Sequence, residues 1–176
     1  MTRTSTRRAI VIVPPPLDMA SIEPIRQRFD PLAGILPSHI TLVFPFESDL
    51  TTQDLRKHID FAVEGVAPFA LTLDGITGSE REYLFLMVRR GYETIVEMHE
   101  RLYSGPLQVH LSLTHAYVPH VTVGRLGTAA AFEAALTSVA QLNTRIETVA
   151  HSLTVYRLED EGLRPIEFEV RLAKSD

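Results

Sequence analysis

The 176-residue chain, 45% hydrophobic and 22% charged, has ordinary globular composition and enough length for one core. Its formal net charge of −5 argues against a binder of duplex DNA or other long nucleic acid, which normally presents a basic surface, but leaves room for a site holding one or two phosphates. The absence of cysteine removes disulfide scaffolds, thiol nucleophiles, zinc–thiolate sites and iron–sulfur clusters.

The N-terminal MTRTSTRRAIVIVPPP pairs a basic start with an apolar run. AIVIV is shorter than the roughly 7–15 residues of a signal-peptide core, and three prolines stop it. It reads as a polar tail followed by a first strand, Ala9 to Val13. No stretch approaches the ~18–20 apolar residues of a membrane span, so a soluble, cytoplasmic chain without a membrane partner is expected. Ser21-Ile22-Glu23-Pro24 opens a helix with an N-cap, and Asp30-Pro31 and Gly34 break it. A strand from His39 to Phe44 follows. Thr51 and Thr52 offer a cap for a second helix, in which Leu55, Ile59, Ala62 and Val63 recur at helical spacing.

Phe69 to Leu73 and Tyr83 to Val88 read as strands joined by a turn over Gly75 to Arg81. Tyr92 to Tyr103 reads as a helix with Ile95, Met98, His99 and Leu102 on one face. An irregular stretch, Gly105 to Val118, leads to PHVTVGRL at 119–126, then an alanine-rich helix from about Thr128 to Gln141. Two final strands, Thr148 to Leu158 and Pro165 to Leu172, are joined by the charged turn EDEG. The order of elements in the first half is echoed in the second. This implies an α+β fold: a bilobal, pseudo-symmetric duplication with two antiparallel sheets flanking a central cleft and helices outside. No Gly/Ser linker separates the halves, so residues 1–176 read as one domain, with a monomer expected.

The halves share more than order. In a strand, residues i and i+2 project from the same face, so His39 and Thr41 point together, as do His120 and Thr122. Ile40, Leu42, Val121 and Val123 point the other way, into apolar packing. Either motif alone is readable as satisfied polar residues at a strand edge. Two imidazoles facing one cleft, however, are the ingredients of acid–base catalysis near neutral pH. A hydroxyl beside each can donate to an anionic oxygen. Phosphodiester cleavage needs a base on the attacking oxygen, an acid on the leaving oxygen and donors on the remaining oxygens. Arg125 offers a fixed positive charge for phosphate or, equally, a surface salt bridge. Phe44 takes the matching place in the first motif.

HITL at 39–42 and PHVTVGR at 119–125 resemble the motifs of the 2H phosphoesterase superfamily, most closely its 2′-5′ RNA ligase-like and RNA 2′,3′-cyclic phosphodiesterase branch. The resemblance implies a bilobal fold with both histidines in the cleft and no metal or nucleotide cofactor for cleavage. Carried over by motif, catalysis falls on His39 and His120, and substrate binding on Thr41, Thr122 and Arg125. The expected partner is a small nucleotide or an RNA-end phosphodiester: a 2′,3′-cyclic phosphate end or a 2′-5′-linked nucleotide. The competing readings are a cyclic phosphodiesterase acting on a non-RNA nucleotide metabolite and a module that binds a phosphorylated end without cleaving it.

Among the other histidines, His110 begins an H-x-S triplet, but the residues after it do not continue as a strand. His151 reads as packed with Leu153 and Val155, and His58 and His99 as surface or half-buried on helices. Tyr83 and Phe85 are placed on opposite faces of their strand, with core packing the favoured role and one of the two free to stack a base. The acidic run Glu159-Asp160-Glu161 reads as a solvated hairpin tip.

Overall fold

The structure, a computed structural model, describes residues 5–159, 162 and 164–173. Its elements are β1 (Thr6–Ile12), α1 (Glu23–Phe29), β2 (Ile40–Ser48), α2 (Thr52–Ala62), β3 (Phe69–Ser79), β4 (Tyr83–Arg90) and α3 (Tyr92–Leu102). A 3₁₀ turn at Gly105–His110 leads to β5 (His120–Arg125), α4 (Ala129–Val139), β6 (Ile146–Ala150), β7 (Ser152–Arg157) and β8 (Ile166–Arg171). The turn expected at 159–162 lies partly outside the described residues. None of the described helices is long and apolar enough to cross a membrane.

The α+β class holds, but the two-sheet expectation does not. All eight strands form one antiparallel sheet in the order β6-β3-β4-β5-β2-β1-β7-β8. The strands carrying the two His-x-Thr motifs are its central neighbours, joined where Ile40 pairs with Val121. The join is confined to that one pair, so the main chain on either side of it needs other partners. Nor do the strands sort by halves of the chain. β1 and β2 lie beside the C-terminal β7 and β8, while β3 to β6 form the other side.

Local sequence explains most elements and some departures. Thr51 caps α2 by accepting a hydrogen bond from the Asp54 N–H at 3.1 Å, and Leu55, Ile59 and Ala62 form its buried face. α1 begins after Ile22 with no side-chain cap, relying on Pro24 in its first turn. β3 does not end at Leu73. A register shift between Leu73 and Ile76, with Gly75 at φ 79°, carries it through to Ser79. The turn to β4 spans only Glu80, Arg81 and Glu82, with Glu80 and Arg81 both at positive φ. The strand expected over Thr148 to Leu158 breaks at His151, because β6 pairs with β3 and β7 with β1 and β8. His151 is therefore exposed at a corner rather than packed.

The core that holds the central strands is apolar. Ile40, Leu42, Leu84, Leu86, Val121 and Val123 are 0–1% exposed, each such burial stabilising by about 1.5–3 kcal/mol. α1 packs behind β5 at Gly124, where Phe29 comes within 3.0 Å of the position a Cβ would take.

Candidate active site

The opposite face of the central strands gathers the candidate residues. Extending the Ile40–Val121 register by one residue each way sets His39 opposite Thr122 and Thr41 opposite His120. The two imidazoles are diagonal neighbours across the join, a relation that separates Cα positions by about 7–8 Å. His39, Thr41, His120 and Thr122 are all half-buried.

Both imidazoles are anchored alike. His39 Nδ1 lies 2.8 Å from the Pro37 carbonyl oxygen, and His120 Nδ1 lies 2.7 Å from that of Val118, in each case two residues upstream. A carbonyl only accepts, so each ring keeps its proton on Nδ1 and offers the Nε2 lone pair. Burial lowers the pKa of both below the ordinary histidine value. The Pro37 carbonyl partly opposes this at His39, whose remaining influences are Arg26, which lowers it, and Asp30, which raises it. At His120 the Val118 carbonyl opposes burial and the charge of His39 adds to it, so the two rings sense each other.

Beyond the single paired position, β2 and β5 diverge, and side chains satisfy the freed main chain of β2. The Tyr117 hydroxyl donates to the Thr41 carbonyl at 2.7 Å, and His99 Nδ1 donates to that of Leu42 at 2.8 Å. The Phe44 N–H donates to the Tyr103 hydroxyl at 3.1 Å. His99 and Tyr117 stack face to face, with centroids 3.7 Å apart and planes 2° from parallel. His99 is thus buried, at 7% exposure, rather than at the surface, and its pKa is lowered by that burial. These residues set the path of β2 through Thr41. The sequence signal was a histidine on the same helical face as Ile95, Met98 and Leu102.

A second row of side chains runs along β4 and β5. Tyr83 pairs with Arg125, Phe85 with Thr122 and Met87 with His120, and directly paired residues share a face. Tyr83 and Phe85 therefore lie on one face and not on opposite ones, as residues two apart in a strand must. Neither is in the core. The Phe85 ring stacks on His120 at 3.6 Å and Tyr83 stacks on Phe85 at 5.8 Å. The Arg125 guanidinium lies 5.5 Å from the Tyr83 ring centre, and its Nε donates to Glu82 at 2.7 Å. Strict alternation would point Arg125 away from His120. One extra residue on β5, where the register shifts between Leu84 and Phe85, turns it to the same face.

The other histidines stand apart. His110 lies in the 3₁₀ turn with its ring 5.3 Å from Phe46, and exposed His115 reaches Glu80 at 3.3 Å. His58, half-buried on α2, contacts the Leu102 carbonyl through Nε2 at 2.8 Å. Among the described residues, no three His, Asp or Glu side chains come together as a metal site would require.

Comparison with known proteins places this arrangement in context. The model describing the 2′-5′ RNA ligase superfamily matches residues 13–162. A relative from Geobacillus sp. (strain WCH70), whose name gives phosphoesterase as a provisional activity, is 33% identical over 105 residues, covering 57% of this chain and 58% of that one. One from Bacillus cereus (strain ATCC 10987), provisionally named likewise, is 30% identical over 120 residues, 66% of this chain and 67% of its own. The chain spans under three fifths of the length of several such relatives. In three dimensions it is similar to E. coli LigT complexed with 3′-AMP, with a TM-score of 0.67, 15% identity, and coverage of 97% of this chain and 100% of that one. The form complexed with ATP gives 0.64 at 18% identity over the same shares.

Proposed function

Because the chain belongs to the 2′-5′ RNA ligase superfamily, the 2H phosphoesterases, we propose that it hydrolyses small phosphodiesters at the His39–His120 face. The favoured substrates are RNA 2′,3′-cyclic phosphate ends and 2′-5′-linked nucleotides. The observation that carries this reading is the matched anchoring of the two imidazoles on adjacent strands: each keeps its proton on Nδ1, held by the carbonyl two residues upstream.

The chemistry follows from that geometry. One neutral imidazole takes a proton from water through Nε2 as the water oxygen bonds to phosphorus. The other, entering as imidazolium, gives its Nε2 proton to the ribose oxygen as the phosphorus–oxygen bond breaks. A cyclic phosphate becomes a phosphomonoester with one free hydroxyl, and one net proton passes from the second ring to the first before bulk solvent resets the pair. Thr41 and Thr122 donate to the non-bridging oxygens, where negative charge grows. Arg125 supplies a fixed positive charge at the end of the row. Tyr83, flanked by Phe85 and Arg125, is an aromatic platform suited to a nucleobase, since stacking tolerates any base. A net charge of −5 favours short substrates over folded RNA. No step calls for a metal, and a cytoplasmic setting suits RNA-end substrates.

Pure protein offered a panel of 2′,3′-cyclic nucleotides, 2′-5′ dinucleotides and cyclic phosphates of non-RNA nucleotide metabolites tests the reading. Turnover of the first two groups, unaffected by EDTA, is expected. Turnover of the metabolites alone would move the substrate class. Tight binding with no turnover would favour an end-binding module, and loss of activity in EDTA would overturn the metal-free scheme.

A further inference from the structure

Beneath the loop that delivers His39 lies a charged side chain the apolar core does not call for. Arg26, on α1, is 1% exposed, yet all its polar groups are engaged. Nε and Nη2 reach Asp30 Oδ2 at 3.0 and 2.9 Å, and Nη1 reaches Glu23 Oε1 at 3.0 Å. Nη2 also donates to the Leu36 carbonyl at 3.0 Å, and Nη1 to Ser38 Oγ at 3.3 Å. Ser38 in turn donates to Glu23 Oε1 at 2.9 Å. The guanidinium therefore grips residues 36 and 38, one on each side of Pro37. The Pro37 carbonyl is the group that accepts the His39 Nδ1–H.

The contrast with His120 shows what this grip replaces. The segment before β5 is held by a main-chain bond, the Val88 N–H donating to the Pro119 carbonyl at 3.2 Å. His39 precedes the first residue of β2, so no ladder of main-chain bonds reaches Pro37. Nor does apolar packing fill the space there. An open pocket of about 310 Å³ lies beside the loop, lined by Glu23, Arg26 and Ser38 as well as by Pro14, Met19 and Pro37. A buried ion cluster carries a desolvation penalty and is weak evidence for stability, whereas fixing one geometry is a recognised use of such groups.

We propose that Arg26, acting with Ser38, is a positioning residue that holds the Pro37 carbonyl where it fixes His39 as the Nδ1–H tautomer. The consequence for catalysis rests on the acid–base role given to His39 above; the effect on its tautomer does not. The charged groups around His39 are Arg26, Asp30 and Glu23 on the α1 side and His120 from β5. A charge-preserving variant is therefore the cleaner probe.

The test is long-range ¹H–¹⁵N correlation of the histidine side chains in the full chain, with Arg26→Lys and Ser38→Ala beside the parent. In the parent, His39 and His120 should both carry the proton on Nδ1. In both variants His39 should become a mixture of tautomers, its Nδ1 proton exchanging with solvent at least ~10-fold faster through local opening, while His120 is unchanged. With an active substrate, kcat should fall by about 10–10² with KM within about twofold, as for a misplaced reacting group. Unaltered His39 signals in both variants, or a parent His39 protonated on Nε2, would overturn the proposal. A changed His39 with no turnover by any form, parent included, would uphold the positioning role while removing the hydrolase reading. Should Arg26→Lys fail to fold, Ser38→Ala decides alone.

Discussion

Adding one methyl group at Gly124 tests how tightly α1 and the central strand are packed. A Cβ there would lie 3.0 Å from Phe29 Cβ, 3.1 Å from Leu84 Cδ1 and 3.3 Å from Leu84 Cγ, all inside the 3.4–4 Å of ordinary contact. Leu84 has rotamer freedom, but Phe29 Cβ is fixed to the helix backbone, so α1 and β5 must separate by a few tenths of an ångström. Overpacking of this kind costs about 1–3 kcal/mol, offset by roughly 0.4–1 kcal/mol for removing glycine freedom from the unfolded chain. Gly127, three residues on, is a matched control: nothing lies within 4 Å of its added Cβ and its φ is not positive. Gly124→Ala should therefore lower the urea midpoint with the slope unchanged, by on the order of 0.5 M for a slope of about 2 kcal/mol/M, while Gly127→Ala should leave it level or raise it. Turnover should fall with Gly124→Ala as well, because α1 carries the Arg26 clamp and β5 carries His120. Equal midpoints for the two variants would refute the packing argument.

Further outcomes follow from the geometry. Both site histidines have pKa values lowered by burial, so kcat/KM, which needs one imidazole protonated and one neutral, should peak on the acid side of about pH 6.5. The linkage has a definite sign: the unfolded chain binds more protons just below ~6.5, so stability should be lost as pH falls from there through the folded pKa values and be flat with respect to these groups above it, as equilibrium unfolding against pH will show. Tyr83→Ala and Arg125→Ala should raise KM for nucleotide substrates more than they lower kcat, with the lost stacking on Tyr83 about 1–3 kcal/mol in competition binding with mononucleotides. Arg8→Met should destabilise by about 3–5 kcal/mol in urea, since Arg8 Nε lies 2.8 Å from Glu167 with both side chains under a tenth exposed, and removing one partner strands the other. Burial pushes the Glu167 carboxyl up, yet the Arg8 and Thr52 hydrogen bonds and the charges of Arg8 and Arg157 hold it below its ordinary value. That share of stability should persist above about pH 4.3 and vanish in acid.

Period and punctuation made much of this fold readable in advance. The helical spacing of Leu55, Ile59 and Ala62 and the Thr51 cap are local signals, and local signals survive into the structure. So does the alternation that buries Ile40, Leu42, Val121 and Val123 behind the two motifs. What escaped was long-range or one residue wide. Strand order depends on which edges meet, and no local pattern announces that β6 joins β3 while β7, one residue later, joins β1. The same holds for β2 meeting β5 in a single sheet. The extra residue in β5 that turns Arg125 to the face of His120 breaks strict strand alternation, with Gly124 as its faint trace. No local signal marks Arg26, because only the fold brings Leu36 and Ser38 to it. Tyr83 and Phe85 were readable and misjudged: two residues apart in a strand, they had to share a face.

The central claim, that His39 and His120 divide the acid and base roles across one phosphate, is met most directly by single-turnover hydrolysis of a 2′,3′-cyclic nucleotide by His39→Ala, His120→Ala and the double variant. Each single change should slow the chemical step by about 10²–10⁴, with the double variant little slower than either, as for two groups that act as a unit. A parent that turns over while either single variant keeps its full rate would contradict it.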